Sequence, residues 1–130
     1  MDYEKDTTII YKEECYLIQG AIFDVYREMG CGFLESVYQE CLEIEMSKRK
    51  ISFISQHNLK LFYKGDELCQ TYKPDFICFE KIIVELKTVN KITTSHEAQI
   101  LNYLNATRIK LGLLVNFWGY PKVDIKRFVI

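Results

Sequence analysis

Two short apolar runs joined by a polar pair constrain this chain more than any other feature. Phe76-Ile77-Cys78-Phe79 leaves Asp75, Glu80-Lys81 reverses the chain, and Ile82-Ile83-Val84 arrives at Glu85-Leu86-Lys87. Runs of this length and composition with so tight a connection read as a β-hairpin. A strand this rich in Ile and Val is expected to bury both faces. Yet it closes on an acid and a base two positions apart. Side chains alternate along a strand, so Glu85 and Lys87 share one face while Val84 and Leu86 point to the other. Asp75, at the far end of the partner run, is placed to lie beside them. Two carboxylates and one ammonium then meet at the edge of an apolar sheet. Converging carboxylates repel unless a cation lies between them, and a hard divalent ion with oxygen ligands meets that need. A solvated Glu85–Lys87 ion pair is the plainer reading of the same residues. Pro74-Asp75 at hairpin distance is what weighs against it.

The chain has 130 residues, enough for one domain with one core. Its formal net charge of −1 argues against tight nonspecific nucleic-acid binding, which depends on neutralising phosphates. A local basic face stays open. The five cysteines, Cys15, Cys31, Cys41, Cys69 and Cys78, are odd in number and none are spaced C-x-x-C. They read as small, mostly buried residues in a reducing compartment, with no bridge and no zinc. No apolar run approaches the ~20 residues that span a bilayer. The acidic start, Met1 to Asp6, lacks the apolar core of a signal peptide. The expectation is a cytoplasmic protein with no membrane association.

Residues 1–12 read as a lead-in and 13–130 as one domain. From Glu13, Leu17, Ala21, Val25 and Met29 form one helical row and Ile18, Ile22 and Tyr26 a second, with Gly30 as the stop. Gly20 inside that helix costs roughly 1 kcal/mol against alanine, and close packing is the expected reason. A second helix starts near Phe33 or Leu34 and runs to about Lys50. Its inner face is Leu34, Val37, Tyr38, Cys41, Leu42 and Met46. Lys48-Arg49-Lys50 complements the helix dipole, with a phosphate-contacting patch as the lesser option. Strand-like stretches follow at 51–56, 59–63 and 67–72, then the hairpin. Thr94-Ser95-His96-Glu97 has the form of a capping box with Thr94 as N-cap. The helix it opens runs to about Thr107 and buries Ala98, Leu101 and Leu104. Residues 111–116 form a buried strand and 123–130 a last one. The order α, α, β, β, β, β, α, β, β implies an α/β fold, a mixed central sheet flanked by helices.

Three ordered motifs carry a resemblance. Gly32-Phe33-Leu34-Glu35-Ser36-Val37-Tyr38 reads GxxExxY. Pro74-Asp75 with Glu85-Leu86-Lys87 reads PD-(D/E)XK, and Gln99-Ile100-Leu101-Asn102-Tyr103 reads QxxxY. From about Glu13 to the C-terminus the chain resembles the small stand-alone GxxExxY family of the PD-(D/E)XK nuclease superfamily. That resemblance implies a restriction-endonuclease-like core and metal-dependent hydrolysis of phosphodiesters, probable DNA nucleases being the type. It implies Mg²⁺ or Mn²⁺ on Asp75, Glu85 and the backbone carbonyl of Leu86. Lys87 would position the attacking water or stabilise developing charge. Glu35 would act through a water or on a second ion, although an acid in a first helical turn needs no such role. Gln99 and Tyr103 would hold Lys87 and the phosphate, the product carrying a 5′-phosphate. Tyr38 would pack and orient Glu35 or another polar group, and His96 would reach the same cleft. His57 is expected to be a surface histidine.

A second reading keeps the fold without the chemistry: a catalytically silent module binding nucleic acid or a protein partner. Near-neutral charge and small size motivate it. A homodimer through Phe117-Trp118-Gly119-Tyr120 would supply missing surface, unless Trp118 is simply core. A third takes Glu85 and Lys87 as a structural ion pair only.

Overall fold

The hairpin organises the molecule as its sequence requires. A computed structural model describes residues 9–130, as α1 (Lys12–Met29), α2 (Glu35–Lys48), β1 (Phe53–Ser55), β2 (Leu59–Tyr63), β3 (Asp66–Tyr72), β4 (Phe76–Cys78), β5 (Ile82–Lys87), α3 (Thr94–Thr107), β6 (Leu111–Asn116) and β7 (Asp124–Val129). Most of the expected lead-in, residues 1–8, lies outside the described residues. β4 and β5 pair antiparallel, with Phe76 opposite Val84 and Cys78 opposite Ile82. The turn takes in Phe79 as well as Glu80 and Lys81. Phe79 and Glu80 both have positive φ, and the Lys81 N–H closes it on the Cys78 carbonyl at 3.1 Å. Left-handed residues match the turn to the strands' twist.

β5 then pairs parallel with β6, from Ile82 beside Leu111 to Lys87 beside Asn116. Parallel neighbours need a crossover, and α3 supplies it. The five-stranded sheet runs β1-β4-β5-β6-β7, antiparallel except between β5 and β6. α1 and α2 cover one face, over Phe76, Cys78, Ile82, Val84, Leu86, Leu111, Leu113 and Val115. On the other face Ile83 and Leu114 meet Ile100 and Leu104 of α3 and Tyr72 of β3. The expected α/β class, a mixed sheet flanked by helices, is what the chain adopts. Five strands precede α3, one for each strand-like stretch and one more than the order of elements counted, and β2 and β3 form a separate two-stranded hairpin beside that helix.

Several faces differ from expectation. On α1 the buried stripe is Cys15, Ile18, Ala21, Ile22 and Val25, and Leu17 is exposed. The helix presents its 15-18-22-25 row to the sheet, which turns Leu17 about 100° away. Leu34 is the extended N-cap of α2 and exposed, so Tyr38, Leu42 and Met46 carry that helix's inner face. α3 buries Ile100 and Leu104, while Ala98 faces out. Gly112 sets that closeness: a Cβ there would stand 2.9 Å from Ile100 Cδ1. Gly20 is likewise packed, against the Arg49 guanidinium 3.0 Å from a would-be Cβ. Arg49 ion-pairs with Asp24 and Glu45, so this member of the basic run ties α2 to α1. All five cysteines are free; Cys15 and Cys78 are buried, but Cys31 and Cys69 are exposed. His57 is exposed. Among the described residues no helix is long and apolar enough to cross a membrane.

Candidate active site

The paired ladder ends with Phe76 opposite Val84, and the same register extended past that end would bring Asp75 to Glu85 and Pro74 to Leu86. Proline has no N–H, so it cannot extend the ladder to Leu86. The Asp75 side chain takes over instead: its Oδ2 accepts the Leu86 N–H at 2.7 Å. The Leu86 carbonyl points the same way, toward a strand whose next residue offers no donor. Pro74 thus explains physically why a ladder ends here with a carboxylate and a main-chain oxygen side by side.

Asp75 is fixed from every side. Its N–H donates to Glu85 Oε1 at 3.2 Å. Its carbonyl accepts from the Gln56 N–H at 3.2 Å and from Gln39 Nε2 at 3.2 Å. Gln56 Nε2 donates to its Oδ1 at 3.1 Å. Gln39 sits one turn after Glu35, so the same helix that carries Glu35 is tied to Asp75.

Glu85 lies on the α3 face, where the Tyr72 hydroxyl donates to its Oε2. Burial, then the neighbouring Asp75 charge, push its carboxyl up to about 7, against the Tyr72 bond that holds it down. Tyr72 itself is 5% exposed, and burial followed by the Glu85 charge raises its phenol, so it stays a donor. Its ring stacks on Tyr103 with centroids 3.7 Å apart and planes 5° from parallel. Glu35 opens α2 at the rim of this cluster. Desolvation and the Asp75 charge raise its carboxyl, offset by the Lys87 ammonium and the Thr88 backbone. Glu35, Asp75, Glu85 and Lys87 come from three elements to one region: the Asp75 charge acts on both Glu35 and Glu85, and the Lys87 charge on Glu35.

Other expected residues sit elsewhere. Tyr103 reaches the cluster through the stack of its ring on Tyr72. Gln99 is exposed and lines the groove between α3 and the β2–β3 hairpin with Phe62 and Leu68. The N-cap of α3 is Thr93, not Thr94, and its box partner is His96: the His96 N–H donates to Thr93 Oγ1 at 3.3 Å, and the Thr93 N–H to His96 Nδ1 at 3.0 Å. His96 is thus held by the cap and not by the cleft. Tyr38 is core, stacked on Phe117 at 4.2 Å, its hydroxyl bonding the Gly30 carbonyl and the Phe33 N–H. It orients the break before α2 and only indirectly Glu35. Phe117 is buried but Trp118 is 52% exposed, so Trp118 is not core.

Sequence reasoning missed Tyr72, Gln56, Gln39 and Asn116. Asn116, buried beside Lys87, accepts from the Val89 and Trp118 N–H groups and donates to the Val89 carbonyl at 2.7 Å, fixing the loop after β5. The one available signal was position: Tyr72 two residues before Pro74, and Asn116 at the end of a strand otherwise apolar.

Among the described residues no three acidic, histidine or cysteine side chains form a ready metal cluster. The donor set nevertheless suits a hard cation: Asp75, Glu85 and a main-chain oxygen are all oxygen ligands. Burial first, and the Asp75 charge after it, push the Glu85 and Glu35 carboxyls up, and a cation held between these acids would offset both.

A family model described as the PD-(D/E)XK nuclease superfamily matches residues 12–128. The chain belongs to that superfamily. The crystal structure of SSO0001 is similar, with a TM-score of 0.56 at 16% identity, over 92% of this chain. At that identity the likeness concerns the fold, and the chain spans 57% of the other's length. No curated protein matches the chain.

Proposed function

We propose that this member of the PD-(D/E)XK superfamily hydrolyses phosphodiester bonds of nucleic acid, DNA being the preferred reading, with Mg²⁺ or Mn²⁺ on Asp75, Glu85 and the Leu86 carbonyl. The observation that carries the proposal is the Asp75 N–H bonded to the Glu85 carboxylate just past the end of the β4–β5 ladder, with the Lys87 and Asp75 charges both acting on Glu35. The ordered GxxExxY and QxxxY motifs place the chain, within this proposal, in the narrower GxxExxY family.

When bound, the cation polarises the phosphate and makes its water a stronger nucleophile. The protein's part is positional and electrostatic. Asp75 is held by five hydrogen bonds and cannot drift from its partner strand. Glu85 is held between Tyr72 and the Asp75 N–H, and the Tyr103 ring backs Tyr72. Lys87, on the same face as Glu85, places its ammonium where the attacking water and the developing negative charge lie. The water's oxygen bonds to phosphorus as the bond to the 3′ oxygen breaks; the water gives up a proton to solvent and the 3′ oxygen takes one from solvent, leaving a 5′-phosphate and a 3′-hydroxyl. Glu35, from α2, holds a water or a second ion at the rim.

Cleavage of single- and double-stranded DNA and RNA with Mg²⁺ or Mn²⁺, with Lys87→Ala as control, tests the reading. Activity lost in the variant supports it; equal cleavage by the variant assigns the activity to a contaminant. One observation favours the silent-module reading: every carboxylate oxygen of Asp75 and Glu85 already accepts a protein donor. Each such oxygen keeps a second lone pair, so this does not bar a cation.

A further inference from the structure

The only tryptophan in the chain stands uncovered next to the Lys87 end of β5. Lys87 and Asn116 are neighbours in parallel register and share a face of the sheet. Trp118 follows two residues on, its N–H fixed to Asn116 Oδ1 at 3.2 Å. The Phe117 N–H, one residue before it, bonds the Lys87 carbonyl at 2.9 Å, so the Trp118 backbone follows directly on a main-chain contact with Lys87. Beside it runs a groove of about 450 Å³, which Asn90, Lys91, Asn116, Trp118, Asp124 and Lys126 help to line. Its charges are balanced, since Asp124 stands with Lys91 and Lys126, and Lys126 is also paired with Glu97. Such a lining suits a neutral, polar, flat group better than a phosphate.

We propose that Trp118 forms a stacking subsite for an unpaired base of single-stranded nucleic acid, adjacent to the Lys87 end of the candidate active site. The inference rests on the reading that the chain acts on nucleic acid, and it names the substrate class. An exposed indole can stack only on a base whose face is free, which duplex stacking denies it and a single strand offers. A chain with a formal net charge of −1 has little to neutralise the phosphates of a long duplex. Stacking supplies affinity that charge does not. A second copy of the chain is the competing occupant. The polar lining of the groove and its continuity with Lys87 favour the base.

The test uses intrinsic fluorescence excited at wavelengths that the nine tyrosines do not absorb, so that it reports on Trp118 alone. Full-length Lys87→Ala protein with Mg²⁺, which keeps the strand intact, is titrated with dT12, rU12 and a blunt 12-base-pair duplex. Binding is followed in parallel by anisotropy of labelled strands. Saturable quenching by the single strands and not by the duplex is expected, the two single strands distinguishing DNA from RNA. Trp118→Ala should weaken single-strand affinity roughly 10- to 100-fold and Trp118→Phe less. Tyr120→Ala, a more exposed aromatic lining a different groove, should leave it unchanged. Strand binding without quenching, or equal weakening by Tyr120→Ala, overturns the subsite and leaves the nuclease reading standing. Emission that changes with protein concentration, without any strand, assigns the indole to a second copy and overturns the subsite. No strand binding together with no cleavage by the wild-type protein overturns both.

Discussion

Replacing Glu85 with glutamine should stabilise the cation-free protein while removing its chemistry. Burial and the Asp75 charge raise the Glu85 carboxyl from an ordinary 4.5 to about 7. A carboxyl raised in the folded state contributes stability that is whole below pH 4.5 and is lost as pH climbs through 7. At 1.36 kcal/mol per pH unit across that interval, an ionised Glu85 costs the fold about 3 kcal/mol by pH 8.5. The substituted amide carries no charge and still accepts from Tyr72 through its oxygen. It loses the bond from the Asp75 N–H, worth about 1 kcal/mol. A net gain of about 2 kcal/mol remains, or roughly 8 °C in Tm for a domain of this size. Thermal unfolding of wild type and Glu85→Gln in EDTA from pH 5 to pH 8.5 checks it. The two curves should meet near pH 5, part between pH 5 and pH 7, and stay a constant distance apart above that, with the variant higher. A variant less stable than wild type at pH 8.5 would refute the argument that Glu85 is held under electrostatic strain.

Other perturbations separate the roles of neighbouring groups. Tyr72→Phe removes the donor that holds the Glu85 carboxyl down, so the acid limb of the pH–activity profile should move to higher pH; an unmoved limb would mean that Glu85 does not report there. Lys87→Ala should lower the cleavage rate by about 100-fold or more, with Mn²⁺ affinity retained in calorimetry. His96→Ala should cost about 1 kcal/mol of stability through the lost α3 cap and leave the rate unchanged; a large rate loss in folded protein would return His96 to the cleft. Asp75→Asn should weaken cation binding and also lower Tm, because Oδ2 serves the Leu86 N–H as well as the candidate site.

The hairpin, the crossover helix and the contact of Asp75 with Glu85 could be read from the sequence because strand alternation is rigid. Once Phe76–Phe79 and Ile82–Val84 pair, the period of two fixes which side chains share a face. Helix faces were read less well. Leu17 and Ala98 fit helical rows, but rows on an apolar helix overlap, and only the docked partner selects one. Gly112 made that selection for α3, through a close approach no periodicity reports. The Thr93–His96 box was misplaced by one residue, since Thr93 and Thr94 are both good caps and both lie three before a side chain able to reach back. Tyr72 escaped notice because its role is tertiary: a phenol at the end of one hairpin bonds a carboxylate in another sheet.

The account stands most directly on whether Asp75 and Glu85 share a divalent cation. Calorimetric titration of the folded protein with Mn²⁺ at pH 7, repeated in buffers of different ionisation enthalpy, measures both the binding and the protons it displaces. One saturable site releasing a substantial fraction of a proton, with that release absent in Glu85→Gln and affinity weakened in Asp75→Asn, is the predicted result. No saturable heat from the folded wild-type protein, or binding unchanged in both variants, would contradict it.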